Sequence, residues 1–455
     1  MPAGKGLTMF KKVLIANRGE IAVRVIRACR ELGIRTVAVF STADRTALHA
    51  KIADEAVCIG GPNTKDSYLN DKAIIAACEI TGADAIHPGF GFLSENAAFA
   101  RNCGKCGINF IGPAPESIEM LGDKAAAKST MKKAGVPVIP GSDGAVKTLA
   151  EAVRLGKEIG FPLMVKASAG GGGRGIRLVN TPEELEPQVV AAKQEALNFF
   201  GDDSIYMEKF IINPKHIEFQ ILADKHGNVI HLGERDCSMQ RRNQKVLEET
   251  PSTIMTPELR EKMGNAAVKA AKACGYYNAG TIEFLVDANG DFYFMEMNTR
   301  IQVEHPITEF VTGIDLVKAQ LKIAAGDVLP YKQEDIALKG HSIECRINAE
   351  NPEHNFRPSP GKINSLHIPG GPGIRIDSAV YQGYTIPPYY DSMIAKLIVY
   401  APTREEAIMK MRWALAEFIV EGVDTNIDFQ LDLIRDKAFE KGDYDIGYLG
   451  RKMSL

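Results

Sequence analysis

Within the stretch Phe292–His305, polar and charged side chains recur at every second position from Glu296 to Glu304. If this stretch is an extended strand, alternation places them on one face and an apolar set on the other. Carboxylates, amides and a guanidinium on one face can bind metal ions and anions. The polar set consists of Glu296, Asn298, Arg300, Gln302 and Glu304.

The strand pattern just before this stretch predicts a pair of facing carboxylates. Asn289-Gly290 lies between two β-rich runs and indicates a hairpin. A two-residue loop there would place Glu283 opposite Glu296, and opposed carboxylates repel. The pair therefore predicts a cation between them, and Mg²⁺ prefers oxygen ligands of this kind, to which Asn298 can add one more. The alternative interpretation is a solvated sheet face.

A glycine-rich loop, Gly170–Gly175, predicts phosphate binding. It matches the spacing GxGxxG, but β-rich residues flank it on both sides, whereas a dinucleotide fingerprint opens a helix. Glycine-rich hairpins bring backbone N–H groups and a nearby lysine to nucleotide phosphates. Lys166 and Arg174 favour this interpretation over a flexible linker.

The segment Glu234–Lys245 is unusually polar and carries three basic side chains in its last five positions. Beside a carboxylate pair and a phosphate loop, this composition indicates anion binding. On its own, such a run would more often be a solvated loop.

The surrounding patterns predict an α/β and α+β fold in three domains. Strand, helix and strand patterns over Lys12–Ala16, Ile21–Leu32 and Thr36–Phe40 form a βαβ unit of a parallel sheet. The turn between the first two lacks GxGxxG, so no dinucleotide site is expected there. Further along, Ser94 is predicted to cap a helix that begins at Glu95. The predicted domains are a Rossmann-like domain at 9–121, a central domain at 122–330 with a mobile lid at about 138–205, and an α+β domain at 331–455.

The totals describe an ordinary globular chain of 455 residues, 45% hydrophobic and 24% charged. A net charge of −3 gives no electrostatic case for nucleic acid. No apolar run approaches the roughly 18 residues of a membrane span, and no signal peptide is visible, so we expect a cytoplasmic protein whose residues 1–8 are a disordered extension. Eight scattered cysteines indicate reduced thiols. The lone CxxC at Cys103–Cys106 closes a helix and is weak support for a redox or zinc site.

Together, these motifs resemble the biotin carboxylases over nearly the whole chain. The glycine-rich hairpin and the strand at 296–306 match the ATP-grasp core of that family. The resemblance implies an ATP-grasp ligase that uses bicarbonate to carboxylate biotin on a carrier protein. The other matching segments are Ile15–Ala22, His87–Asn96 and Pro388–Met393.

The resemblance also implies roles for individual residues. ATP contacts are implied for Lys124, Lys166, Gly172, Gly173, Glu208, Lys209, Ile211, His216 and Gln240. Ligands of Mg²⁺ or Mn²⁺ are implied at Glu283, Glu296 and Asn298. Bicarbonate contacts are implied for Lys245, Arg300, Gln302 and Val303. Glu304 would be the base on bicarbonate, and Arg300 and Arg346 would face the biotin ureido group. Asn243 stands where some members have a histidine near the nucleotide, which puts that one contact in doubt.

Family members act with a biotin carboxyl carrier protein and a carboxyltransferase component, usually as homodimers, with neither nucleic acid nor membrane as a partner. The chain ends without a carrier domain, so we expect biotin on another protein. We expect the parent enzyme to be acetyl-CoA carboxylase of fatty acid biosynthesis, with pyruvate, propionyl-CoA and 2-oxoglutarate carboxylases as alternatives. Another ATP-grasp ligase and a nicotinamide-binding oxidoreductase are the competing functions.

Lys410 and Cys237 could each be taken for a chemically active residue, but both are interpreted as structural. Lys410 lies between two methionines, as biotinylated lysines do, but the apolar positions around it recur at helical spacing and place Lys410 on the opposite face. It is predicted to be a solvated helix residue, on a helix from Glu405 to Val420 that a capping box at Thr403–Glu406 starts. Cys237 is expected to be structural, because a thiolate at neutral pH needs specific activation.

Overall fold

A computed structural model describes residues 9–142, 144–167, 176–200 and 203–453. The chain divides into two compact units. The first unit comprises the residues up to Val136, Lys215–Phe284 and Glu296–Leu455, and the second comprises Pro137–Pro214 and Leu285–Met295. The expected disordered extension at 1–8 and the loop Gly170–Gly175, with Arg174, lie outside the described residues. In the described part of the chain, no helix has the length and apolar character needed to cross a membrane.

The first unit begins with a five-stranded parallel sheet in the order β3-β2-β1-β4-β5. Its inner strands are runs of buried aliphatic residues, as expected where helices cover both faces. The strands are β1 Lys12–Ile15, β2 Arg35–Ser41, β3 Glu55–Gly60, β4 Ala85–His87 and β5 Asn109–Phe110. The helices are α1 Gly19–Glu31, α2 Leu48–Ile52, α3 Asp71–Thr81, α4 Ala97–Lys105, α5 Pro115–Gly122 and α6 Lys124–Lys133.

The predicted cap of α4 is wrong by two residues. The Asn96 side chain accepts a hydrogen bond from the Phe99 N–H, so the helix begins at Ala97 rather than Glu95. Ser94 is buried in the preceding turn. Glu95 is thereby left outside the helix, with its carboxylate free to contact other segments.

The second unit contains α7 Leu149–Ile159, α8 Pro182–Phe200 and a three-stranded antiparallel sheet in the order β7-β6-β8. The strands are β6 Leu163–Ala167, β7 Ile176–Val179 and β8 Ile205–Lys209. Lys166 pairs with Ile176, so the glycine-rich loop connects two antiparallel strands, which is the context that the sequence predicts. The core of this unit is aliphatic and includes Leu163, Val165, Val179, Leu185 and Val189.

An eight-stranded sheet forms the centre of the first unit, in the order β13-β12-β9-β10-β11-β14-β21-β19. The far ends of β12 and β13 belong to the second unit. Its strands are β9 Lys215–Ala223, β10 Val229–Arg241, β11 Gln244–Thr250, β12 Asn278–Val286, β13 Phe292–Asn298, β14 His341–Asn348, β19 Ile374–Ser378 and β21 Met393–Ala401. The accompanying helices are α9 Pro257–Ala273, α10 His305–Thr312 and α11 Leu316–Ala325.

Short strands and four helices complete the first unit. The strands are β15 Glu350–Asn351, β16 Arg357–Pro358, β17 Gly361–Lys362, β18 Ser365–His367, β20 Thr385–Ile386 and β22 Ile419–Glu421. The helices are α12 Arg404–Glu417, α13 Ile427–Ile434, α14 Lys437–Lys441 and α15 Tyr448–Met453. Thr403 caps α12 as predicted, with its hydroxyl accepting from the Glu406 N–H.

The prediction that Lys410 is solvated is wrong in one respect. Lys410 lies on α12, away from the buried residues Met411 and Leu415, as the helical spacing predicts. Its ammonium, however, is partly buried and donates to the carbonyl oxygens of Pro372 and Tyr400 at 2.9 and 2.7 Å.

The prediction of one strand over Phe292–His305 is wrong for its second half. Strand β13 ends at Asn298, residues 299–304 are irregular, and α10 begins at His305. The backbone leaves the sheet where the Thr299 N–H donates to the Glu95 carboxylate instead of to a neighbouring strand. The polar side chains after Asn298 are therefore positioned by a loop rather than by strand alternation.

The predicted two-residue hairpin loop is also wrong. The Asp287 N–H donates to the Asp291 carbonyl, so residues 288–290 form a longer loop. The Asp287 carboxylate accepts from the Asn289 and Asp291 N–H groups, an Asx-type turn that competes with the tighter hairpin. The loop therefore does not supply the register from which Glu283 was placed opposite Glu296.

The polar segment Glu234–Lys245 is not a solvated loop. Strand β10 runs through Arg241, and β11 begins at Gln244. Between them, Arg242 and Asn243 both have positive φ, as a tight hairpin turn requires. Most of the polar side chains of β10 are buried and need partners.

Candidate active site

Lys245 lies at the centre of a buried charge cluster in the first unit. Its Nζ is 2.6 Å from Glu218 Oε2, 3.0 Å from Glu283 Oε1 and 2.7 Å from Glu304 Oε1. Burial disfavours the ammonium, but the surrounding Cys237 and carboxylates outweigh burial and raise the pKa of Lys245 well above its usual value. Lys245 is therefore a permanent cation shared by three anions.

The central sheet explains why these side chains meet. Strands β12, β9, β10 and β11 are consecutive neighbours and carry Glu283, Glu218, Cys237 and Lys245 respectively. Glu304 is added from the side, because it is the residue immediately before α10. The sheet sets the spacing of the four side chains on its strands, and the start of α10 sets the position of Glu304.

Glu304 is held between two cations. One carboxylate oxygen contacts Lys245, and the other lies 3.0 Å from Arg346 Nη2. Burial favours the neutral acid, but Lys245, Arg346 and Arg235 outweigh burial and lower the pKa of Glu304 well below its usual value. Glu304 is thus ionised at neutral pH, as a general base must be before it acts.

Glu283, Glu296 and Asn298 supply oxygen atoms suited to a hard divalent cation. Asn298 Nδ2 donates to Glu283 Oε1 at 2.8 Å, so these two side chains are in contact. Burial, and then the charge of Glu283, raises the pKa of Glu296, as expected for a carboxylate near a second one. A divalent cation would offset that repulsion, so these residues fit one.

A second arrangement of possible metal ligands brings His216, Glu218 and Glu283 together. His216 Nε2 is 3.0 Å from Glu283 Oε2, but the ammonium of Lys245 already contacts both glutamates. Because a cation already contacts two of its three groups, this arrangement fits a divalent cation less well than Glu283, Glu296 and Asn298 do.

Arg300 is anchored by three side chains in the irregular segment. Its Nε donates to Glu95 at 2.9 Å, its Nη2 to Asn298 Oδ1 at 2.9 Å and its Nη1 to Gln302 Oε1 at 3.3 Å. Gln302 Nε2 in turn donates to Glu283 at 2.9 Å. The guanidinium of Arg300 is thus connected to the candidate metal site through Asn298 and Gln302. In the same segment, the carbonyl of Val303 accepts a hydrogen bond from the buried Lys396 at 2.9 Å.

The residues assigned to ATP by resemblance fall in both units. In the first unit, Gln240 Nε2 is 2.7 Å from His216 Nδ1, and Lys124 Nζ lies 3.9 Å from Glu296 Oε2. Lys124 is largely exposed, with 90% of its side chain accessible, so it is available to a ligand.

In the second unit, Lys166 Nζ is 2.6 Å from Glu208 Oε2 across adjacent strands. Lys209 donates to the Phe161 carbonyl at 3.2 Å, and Ile211 is buried. Gly172 and Gly173 lie outside the described residues.

The cysteines are free thiols, in agreement with the prediction of reduced cysteines. Cys237 Sγ lies 3.8 Å from Glu304 Oε1, but burial raises its pKa well above the usual range, so it is a neutral thiol at physiological pH. In the CxxC, burial raises the pKa of Cys103 to about 12 and Cys106 is exposed. Neither Cys237 nor Cys103 has the lowered pKa of a reactive thiolate.

Lys245 and Arg346 line a small cavity of about 40 Å³. Its wall includes Arg241, which lies over the Phe356 ring at 3.8 Å from the ring centroid. The cluster is thus open on one side to a ligand.

Sequence reasoning missed several buried partners of the predicted residues. Glu218 alternates with His216 along β9, a signal that would have found it. Arg235, fully buried, donates to Glu218 at 2.5 Å, and Glu248 accepts from Arg346 Nε at 2.7 Å. These contacts join strands that are distant in sequence, and no local sequence pattern predicts them. The missed buried residues are Glu218, Arg235, Glu248, Glu344 and Lys396, and the exposed Glu95 was missed as well.

Comparison with known proteins assigns the family. Family models match the biotin carboxylase N-terminal domain at 9–118, the carbamoyl-phosphate synthase L chain ATP-binding domain at 123–332 and the biotin carboxylase C-terminal domain at 344–451. Biotin carboxylase 1 of Bacillus subtilis is 58% identical over 442 residues, which are 97% of this chain and 98% of that protein. A pyruvate carboxylase subunit from Methanothermobacter thermautotrophicus is 57% identical, over 96% of this chain and 88% of that protein.

A solved structure agrees over the same extent. The biotin carboxylase domain dimer of the Hydrogenobacter thermophilus 2-oxoglutarate carboxylase, in complex with MgADP, ADP and bicarbonate, has a TM-score of 0.88 at 57% identity and covers 98% of each chain. These similarities decide against the oxidoreductase and against an ATP-grasp ligase of another kind. The chain belongs to the biotin carboxylase family and is an ATP-grasp ligase.

Proposed function

We propose that this chain performs the first half-reaction of acetyl-CoA carboxylase, the ATP- and bicarbonate-dependent carboxylation of biotin on a separate carrier protein. The observation that carries the chemical part of the proposal is the placement of Glu304. It is a buried, ionised carboxylate with a cation on each oxygen, and both of these cations, Lys245 and Arg346, line a cavity. A base surrounded by cations suits an anionic substrate that must lose a proton.

Bicarbonate is a poor electrophile, and ATP activates it by transferring a phosphoryl group. Such transfers depend on positioning and on positive charge around the phosphoryl oxygens. We assign Lys166 and the glycine-rich loop to the phosphates, with Gly172, Gly173, Glu208, Lys209, Ile211, His216, Gln240 and Lys124 completing the nucleotide site. A Mg²⁺ or Mn²⁺ ion held by Glu283, Glu296 and Asn298 would add positive charge there.

Bicarbonate is assigned to Lys245, Arg300, Gln302 and Val303. When its negative charge takes over contacts from Lys245 and Arg346, Glu304 loses part of the attraction that now lowers its pKa. The pKa of Glu304 then rises toward neutrality, where general-base catalysis is most efficient. Substrate binding would thus make Glu304 a stronger base at the moment it is needed.

The biotin ureido group, once deprotonated, needs a permanent cation. Arg300 and Arg346 are both arginines and stay charged at every working pH. Glu95 and Asn298 fix the guanidinium of Arg300, which pre-organises it for an oxyanion.

We also propose that the domain boundaries lie at 121 and 330 and that residues from about 138 to 205 form a lid. The lid would close over the nucleotide and exclude water from the activated bicarbonate.

Acetyl-CoA is proposed as the final acceptor, which would place the chain in fatty acid biosynthesis in the cytoplasm. Pyruvate and 2-oxoglutarate are supported as alternatives by relatives with those parent enzymes, and propionyl-CoA is the other acceptor that the resemblance leaves open. A biotin carboxyl carrier protein, a carboxyltransferase component and a second copy of this chain are the proposed partners. The related Hydrogenobacter domain is a dimer. Identifying the carboxyltransferase that co-purifies with the chain tests the acceptor.

The activity is tested by ATP cleavage with free biotin. We expect ADP release that requires Mg²⁺, bicarbonate and biotin together, with carboxybiotin formed. ATP cleavage that ignores bicarbonate would contradict the proposal.

A further inference from the structure

We propose that Glu344 is a positioning residue, a neutral carboxylic acid that donates a hydrogen bond to Glu248 and so keeps Glu248 as the charged anchor of Arg346. The inference deepens the proposed function, on which its catalytic consequence rests. Glu344 and Glu248 do not touch substrate in this account. They act through the guanidinium that contacts Glu304.

The strand register places the two acids face to face. Strands β11 and β14 are antiparallel, and Glu248 pairs directly with Glu344. Both residues are completely buried. Directly opposed residues share one face of the sheet, with Cβ atoms about 4.5–5.5 Å apart. Among the described residues, neither oxygen of Glu344 has a hydrogen-bond partner, and neither does Glu248 Oε2. The unsatisfied atoms of the pair are therefore the ones that can satisfy each other.

The nearby cations are all engaged elsewhere. Arg346 contacts Glu248 Oε1 and Glu304. Lys396, on the neighbouring strand β21, contacts the Val303 carbonyl and Glu20. Lys245 is taken by its three carboxylates. Within the part of the chain that the structure describes, Glu344 is thus a buried acid without a cation in contact. An unpaired buried charge is costly enough that such a group takes up a proton.

The proton belongs on Glu344 rather than on Glu248, because Arg346 favours the ionised form of Glu248. Burial raises the pKa of Glu344 well above its usual value, and it raises that of Glu248 to about 7. The rise at Glu344 agrees with the assignment, and the attraction of Arg346 opposes the rise at Glu248. The titratable and charged groups around the pair are Arg346, Lys396, Lys245, Glu304 and the buried thiol of Cys345. Helix α10, which packs against β14, carries His305 and Glu309.

The hydrogen bond from Glu344 to Glu248 affects how Arg346 is held. It satisfies Glu248 Oε2 and leaves the charge of Glu248 on Oε1, which binds Arg346 Nε. The same oxygen also contacts Arg346 Nη2, which in turn lies 3.0 Å from Glu304, so the anchor holds the guanidinium beside Glu304. If Glu248 became protonated, Arg346 would lose its anchor, so activity is expected to rise with pH as Glu248 ionises.

The test compares Glu344→Gln with Glu344→Leu in the full chain. The measurement is the pH dependence of kcat for bicarbonate-dependent ATP cleavage. Gln can donate a hydrogen bond as the neutral acid does, so its acidic limb should match the wild type. Leu cannot donate, so ionised Glu248 loses a hydrogen bond and the acidic limb should move up by about one pH unit. A shift to lower pH in the Gln variant would mean that Glu344 is normally charged, and an unshifted Leu profile would mean that it donates nothing. Either result overturns the inference.

A spectroscopic readout separates this inference from the proposed activity and holds even if the Leu variant fails to fold. The infrared spectrum of the wild type at pH 7 should contain the carbonyl band of a protonated carboxylic acid that Glu344→Gln lacks. Absence of that difference overturns the inference, whatever the activity. If the wild type shows the band but no bicarbonate-dependent ATP cleavage, the proposed function fails and the protonation of Glu344 stands.

Discussion

The ammonium of Lys245 lies 2.7 Å from one carboxylate oxygen of Glu304, and both groups are buried. The contact keeps Glu304 ionised, with its pKa lowered, in a site that also contains two further glutamates. The same contact is one that an incoming anion can replace. Under the proposed function, the resting ion pair and the bicarbonate site would therefore use the same atoms.

Removing the Lys245 ammonium should destabilise the protein as well as inactivate it. Lys245→Met leaves Glu218, Glu283 and Glu304 buried without their shared cation, and breaking a buried ion pair costs about 3–5 kcal/mol. Chemical denaturation of Lys245→Met should show a loss of that order in the free energy of unfolding. Arg101→Met is the control, since Arg101 pairs with the exposed Glu119 and should cost less than about 1 kcal/mol. Equal losses in both variants would contradict the role of the cluster.

Glu296→Gln should lose most ATP cleavage while keeping its stability. Burial and the charge of Glu283 already disfavour the ionised Glu296, so neutralising it removes a repulsion in the metal-free protein. The same change removes a proposed ligand, so the Mg²⁺ concentration needed for half-maximal activity should rise at least about tenfold. Near-normal turnover at ordinary Mg²⁺ would show that Glu296 does not bind the ion.

Glu249 should make the protein sensitive to acid. Burial opposes its ionisation, but His341 and Arg404 outweigh burial and lower its pKa from 4.5 to about 2. Because the folded-state pKa is the lower one, this stabilisation is present above the unfolded value near 4.5 and is lost as pH falls toward 2, up to about 3 kcal/mol. Glu249→Gln should therefore lose less stability than the wild type between pH 5 and pH 3. The exposed Glu417→Gln should follow the wild type, and a Glu249→Gln protein that does the same would contradict this assignment.

Arg300 and Glu304 should differ in the step that they affect. Arg300→Ala should keep part of the bicarbonate-dependent ATP cleavage but carboxylate biotin poorly, because Arg300 is assigned to the negative charge on biotin. The quantity to measure is the ratio of ATP cleaved to biotin carboxylated, which should rise severalfold. Gln302→Ala, which removes one neighbour of Arg300, should raise it less. An Arg300→Ala ratio at the wild-type value would remove the case for separate roles.

Local pattern predicted part of the geometry of the candidate site. Alternation predicted that Asn298 joins Glu283, and the two side chains are in contact. It failed after Asn298, where a hydrogen bond from Thr299 to Glu95 turns the chain out of the sheet. The hairpin loop was misjudged because the Asp287 side chain binds the turn backbone. In both cases a side chain competed with strand pairing.

The buried partners of the site residues could not be predicted from sequence pattern, for a different reason. Glu248 and Glu344 are brought together only by the pairing of β11 with β14, strands separated by nearly a hundred residues. Each looks like an ordinary charged residue in its own segment. Periodicity reports the face of one element, whereas the order of strands in a sheet decides which faces meet.

The central claim is that Glu304 removes the bicarbonate proton. Glu304→Gln keeps the size of the side chain and removes its basicity, and the measurement is ADP release with and without bicarbonate at saturating Mg²⁺ and biotin. We predict that bicarbonate-dependent release falls at least about a hundredfold, while any slow bicarbonate-independent release persists and nucleotide still binds. Bicarbonate-dependent release within a few-fold of the wild type would contradict the account and leave Glu304 as a structural anion between Lys245 and Arg346.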